Sequence, residues 1–123
     1  MDGRIFRIIE IISQSMGQPW TVSKMADLVQ VSVPHFQSLF KMAAGKTPMQ
    51  YLHTLRLEKT HEVLSDPLCF LQINEVAGQV GLSNESHFAR DFKEMFGRTP
   101  TQFRNEVREQ YQRKDRKEQK SDS

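Results

Sequence analysis

The chain has 123 residues, 37% hydrophobic and 26% charged, which suits one small domain or two very small ones sharing a core. No apolar run approaches the roughly 18 residues of a membrane span, and Glu10 interrupts the run Ile8, Ile9, Ile11, Ile12, so neither secretion nor membrane insertion is expected. A lone cysteine, Cys69, excludes an intramolecular disulfide and a cysteine zinc cluster and fits a reducing cytoplasm, while a net charge of +2 is too small to mark a purely electrostatic nucleic-acid binder.

Residues 3 to 16 carry Ile5, Ile8, Ile9, Ile12 and Met16 at the spacing of an amphipathic helix packed on the unit of residues 21 to 45. In that unit, Thr21 is an N-cap, with Trp20 and Met25 placed as a hydrophobic staple. Gln30 and Val31 make a turn, Ser32 caps a second helix that tolerates Pro34 in its first turn, and Gly45 stops it. Residues 48 to 64 predict a central helix of about 25 Å, opened by Thr47 and Pro48. Its Leu52, Leu55 and Val63 lie on one side and its Leu57 and Leu64 on another, as suits a helix joining two subdomains. Cys69 falls in the apolar connection Leu68 to Leu71 and is expected to be a buried, inert thiol.

Residues 72 to 97 repeat the first helix pair, with Leu71 and Val76 as the staple, Gly81 in the turn, Ser83 as cap and Gly97 as stop. Thr99 and Pro100 open a closing helix over residues 100 to 110. Residues 111 to 123 read as a charged, disordered tail, because residues 105 to 123 hold six Lys/Arg and five Asp/Glu with only Val107 and Tyr111 to bury. The repeat is direct. Between residues 35–52 and 87–104, eight of 18 positions are identical at an offset of 52, from His35/His87 and Phe36/Phe88 to Pro48/Pro100 and Gln50/Gln102.

On a helical wheel the second helix of the first unit buries Phe36, Leu39, Phe40 and Ala43 and exposes Pro34, Gln37, Ser38 and Lys41. Its counterpart buries Phe88, Phe92 and Met95 and exposes Ser86, Ala89, Arg90 and Lys93. Arginine can pair with guanine and Gln with adenine, while lysine reaches phosphate, so these faces have the parts for reading a major groove. Arg90 is either a base or phosphate reader or a surface charge; Lys41 and Lys93 either contact phosphate or are solvated; His35 and His87, at the flank of the buried stripe, either pack and cap or touch DNA. His35, His53, His61 and His87 give no metal-ligand spacing beyond a helical pair, His53 and His61, two turns apart. No Ser-His-Asp grouping, paired carboxylate or glycine-rich phosphate loop stands out, so neither catalysis nor a cofactor is expected.

The run from Phe88 to Arg104, with Ile73 to Ser83 before it and Tyr51 to Glu58 in the central helix, resembles the DNA-binding domain of the AraC/XylS family of bacterial transcription regulators over about residues 2 to 105. The resemblance implies an all-α fold of about seven helices: two helix-turn-helix subdomains joined by a long linker helix within a domain of residues 1 to 105. It implies contacts to DNA from Pro34, Gln37 and Ser38 in one reading helix and from Ser86, His87 and Arg90 in the other. Ser38 stands where many members have arginine. The expected function is a sequence-specific regulator, an activator, bound through two successive major-groove segments to an asymmetric promoter site in the cytoplasm and nucleoid, with RNA polymerase as a further partner. Members commonly add a sensor or dimerisation domain, so the chain is expected to be a stand-alone domain or the output end of a longer regulator. Two alternatives are a helical protein-interaction module and a fragment of a DNA-repair methyltransferase with Cys69 as acceptor.

Overall fold

A computed structural model of the chain describes residues 2–82 and 85–121; Ser83 and the side chain of Ser86 lie outside that description, as do the side chains of Glu85 and of residues 119 to 121. Seven helices are found among the described residues: α1 (Gly3–Gln14), α2 (Val22–Leu28), α3 (Val33–Ala44), α4 (Pro48–Leu64), α5 (Ile73–Gln79), α6 (Glu85–Phe96) and α7 (Pro100–Ser121). Among them, no helix is long and apolar enough to cross a membrane.

The two units close by the same local bonds. After α2, the Val31 N–H donates to the Ala26 carbonyl and Gln30 to Asp27; after α5, Leu82 donates to Ala77 and Gly81 to Gly78. This is the paired bonding of a Schellman stop, which needs one left-handed residue between helix and exit. Gly81 supplies it without cost at φ 92°, whereas Gln30 adopts φ 60° despite its Cβ. α3 and α6 stop alike, Gly45 at φ 74° donating to Lys41 and Gly97 at φ 82° donating to Lys93.

Thr47 and Gln50 then form a reciprocal capping box over α4, and Thr99 and Gln102 form the same box over α7. The likeness reaches one step past the identical residues. Lys46 Nζ lies 3.5 Å from Thr54 Oγ1, and at the same offset Arg98 pairs with Glu106 at 2.8 Å.

Two cores hang on α4. The first gathers Ile5, Ile8 and Ile12 of α1, Met25 and Ala26 of α2, Phe36 and Phe40 of α3 and Leu52 of α4. The second gathers Leu57, Ala77, Val80, Leu82, Phe88 and Phe92. Met16 packs against both. Leu52 and Leu57 thus face different cores, as the two-sided pattern of α4 predicts. Arg56, between them, donates to the carbonyls of Met16 (2.8 Å) and Gln18 (2.9 Å), and its partial burial lowers the pKa of its guanidinium.

Three expectations need correction. Met95 is exposed, and half-buried Phe96 takes its place: its ring lies 4.7 Å from that of Phe92 and 4.3 Å from that of His61, which also stacks on Phe103 at 4.2 Å. His61 of α4 and Phe103 of α7 approach the last turn of α6 on the side of Phe96, so that residue is covered and Met95 is not. Second, α7 does not stop near 110 but runs to Ser121, through a stretch rich in the good helix formers Glu, Gln, Lys and Arg. Third, Cys69 is only partly buried, with Arg104 Nη2 3.5 Å from its Sγ; Arg104 and Arg108 also donate to the carbonyls of Leu71 and Cys69, which holds the connection against α7.

Candidate nucleic-acid interface

On α3 the side that faces away from Phe36 and Phe40 presents Pro34, His35, Gln37, Ser38 and Lys41, all exposed. Ser32 builds this surface by accepting a hydrogen bond from the His35 N–H at 3.3 Å, which fixes where the helix begins. On α6, His87, Arg90 and Lys93 are exposed and Ala89 is half-buried, while Phe88 and Phe92 are buried beneath them. The cap expected from Ser83 and the contact expected from Ser86 lie outside the described residues. Both histidines are therefore on the surface, which does not fit packing as their role. Among the described residues no cluster of metal-ligating side chains is found.

The α6 surface carries an arrangement that sequence reasoning missed. Asp91, next to Arg90, accepts a hydrogen bond from His53 Nε2 of the linker helix at 2.8 Å and has Arg90 Nε 3.4 Å from its other oxygen. The bond from His53, with a smaller contribution from Arg90, holds the Asp91 carboxyl below the usual carboxylate range. A carboxylate only accepts, so His53 carries its proton on Nε2. His53, Arg56, Gly81, His87 and Asp91 share the walls of one shallow cleft. No periodicity or spacing links residues 53 and 91; the contact exists only because α4 and α6 pack side by side.

A family model described as a helix-turn-helix domain matches residues 25–106. Over 106 residues the chain is 32% identical to the RCS-specific HTH-type transcriptional activator RclR of Escherichia coli, covering 86% of this chain and 37% of that protein. The chain belongs to the AraC/XylS family of transcription regulators, as a DNA-binding domain of AraC type.

This AraC-type domain is also 34% identical over 87 residues to the HTH-type transcriptional regulator AlkR of Acinetobacter baylyi, covering 71% of this chain and 28% of that protein. It spans about a third of the length of the curated relatives it matches. Among solved structures it superposes with a TM-score of 0.81 on one described as a "probable AraC family transcriptional regulator" from Rhodopseudomonas palustris, at 29% identity over 87% of this chain and 99% of that one. The DNA-binding domain of AdpA, solved in complex with a target DNA, shares the fold with a TM-score of 0.79 at 20% identity over 87% of this chain and 95% of that one. The family assignment lends no support to an interaction bundle or a methyltransferase fragment.

Proposed function

We propose that this AraC-type domain reads an asymmetric promoter site with α3 and α6 in successive major-groove segments, as the DNA-binding part of a transcription activator acting in the cytoplasm and nucleoid. The observation that carries the reading is the matched exposure of the two second helices: α3 buries Phe36 and Phe40 and turns His35, Gln37, Ser38 and Lys41 outward, and α6 buries Phe88 and Phe92 and turns His87, Arg90 and Lys93 outward. Gln37 and Arg90 have the donor groups for base edges, Pro34, Ser38 and His87 supply shorter contacts, Ser86 joins the set on its sequence position alone, His35 lies at the flank, and Lys41 and Lys93 suit phosphates. The two faces differ in every outward residue except the histidine and lysine pairs, so two unlike half-elements are expected rather than a palindrome. RNA polymerase, and a sensor or dimerisation domain in the same protein, are the further partners of such a regulator.

Selection of bound duplexes from a random pool tests this. Two dissimilar elements, centred about 10 to 10.5 base pairs apart, are the expected outcome. A palindromic consensus, or one short element alone, would contradict reading by both helices of one monomer. Affinity should also fall steeply with salt if several phosphates are neutralised.

A further inference from the structure

We infer that Asp91 is a positioning residue for DNA reading: braced by His53 of the linker helix, it holds Arg90 so that the terminal nitrogens of the guanidinium, rather than Nε, face the base edge. The inference deepens the proposed function and rests on Arg90 being a base reader.

The geometry divides one carboxylate between two partners. Oδ2 is taken by His53 Nε2 at 2.8 Å and Oδ1 faces Arg90 Nε at 3.4 Å. The side chain of Asp91 is 26% exposed and that of Arg90 68%, so the acid sits at the root of the helix surface and the guanidinium reaches out from it. Occupying Nε leaves both terminal NH2 groups free to donate, and those two nitrogens can engage O6 and N7 of a guanine together. An arginine held at its root loses less rotamer freedom when it binds.

Asp91 adds a second effect through its charge. A carboxylate at the DNA-facing surface repels phosphate, which penalises every binding pose in which Arg90 swings toward the backbone. Because the brace comes from α4, it also ties the reading arginine to the helix that joins the subdomains. Asp91 therefore trades overall affinity for discrimination.

The test uses the whole chain, Arg90→Ala, Asp91→Asn, His53→Gln and His53→Leu, and the Arg90→Ala/Asp91→Asn double variant. Affinities are measured on the selected duplex and on duplexes changed one base pair at a time, with thermal midpoints recorded for each protein. Arg90→Ala identifies the base pair that Arg90 reads. Asp91→Asn should reduce discrimination at that same pair by about twofold or more, the low end of coupling between touching residues, while binding unrelated duplexes more tightly. In the Arg90→Ala background it should change nothing at that position. His53→Gln, whose amide can still donate, should keep discrimination, and His53→Leu should lose part of it.

A merely structural role for Asp91 weakens binding to all duplexes together, whatever the change in thermal midpoint. That result, or undiminished discrimination in Asp91→Asn while Arg90→Ala still flattens one position, overturns the brace and leaves the base reading intact. Equal losses for Arg90→Ala on every duplex remove the base reading, and the brace with it.

Discussion

At the scale of single residues, the proposed function assigns sequence-dependent binding to Arg90 and sequence-independent binding to Lys41 and Lys93. Replacing Arg90 by alanine should cost about 1 to 3 kcal/mol on the selected duplex and relax preference at one base pair. Lys41→Ala and Lys93→Ala should instead weaken binding to all duplexes alike and each reduce the salt slope by about 1, as loss of one phosphate contact does; unchanged affinity and slope would make them solvated charges.

Acid should act through Asp91. Its carboxyl is lowered in the folded state by the bond from His53, so the stability it confers is present above the unfolded-state value of about 3.9 and is lost as pH falls toward the depressed folded value. The gap in thermal midpoint between parent and Asp91→Asn should be steady above about pH 5 and narrow below about pH 4. A gap that stays constant down to pH 3 would contradict that linkage. The exposure of Pro34, Gln37, Ser38, Lys41, Arg90 and Lys93 was legible in the sequence, because burial of Phe36, Phe40, Phe88 and Phe92 fixes the opposite side of each wheel, whereas Ala89, expected outward, is half-buried. The partner of Asp91 was not.

The helices and their turns show what the duplicated sequence does locally. Gln30 and Gly81 occupy the same left-handed position in the two stops, yet only one is glycine. Gln30→Gly should therefore stabilise the domain by about 0.5 to 1 kcal/mol and raise its thermal midpoint by a few degrees. Gly81→Ala meets a double obstacle, an unfavourable φ of 92° and a Cβ that would sit 2.8 Å from the Arg56 guanidinium. It should lower the midpoint more than Gly45→Ala does, where φ is 74° but nothing lies within 4 Å. Equal losses at the two glycines would mean that Arg56 moves aside freely.

Phe92, fully buried between α4, α6 and α7, should cost about 3 to 5 kcal/mol when cut to alanine, enough to threaten a domain of ordinary total stability. A midpoint within a degree or two of the parent would refute its place in the core. The caps, stops and apolar stripes of these elements were readable because each depends on residues within a turn of one another. Met95 was not, since a wheel cannot say from which side the next helix approaches.

At the scale of the molecule, α4 is the rigid spacer. It is 17 residues long, about 25 Å, and carries one core on each of two sides. Met16, packed against both cores, and Arg56, bonded to the carbonyls of Met16 and Gln18, resist rotation of one subdomain against the other. Inserting five base pairs between the half-elements turns one to the opposite face of the duplex, and inserting ten restores the face but lengthens the span by about 34 Å. Both insertions should abolish two-groove binding, because α4 can neither twist nor extend. Full affinity with the ten-base-pair insertion would mean that separate molecules occupy the halves.

The sequence by itself determined the all-α class, the duplicated unit, the stops of α2, α3, α5 and α6, the capping boxes of α4 and α7 and the outward residues of α3, all of which come from periodicity and from bonds between near neighbours. The tertiary structure decided what depends on helices meeting: the His53–Asp91 brace, the clasp of Arg56 on the chain after α1, the arginines that pin Cys69 and Leu71, and the burial of Phe96 in place of Met95. Such contacts join residues far apart in the chain, and their partners are chosen by the packing of whole helices, which no local pattern encodes.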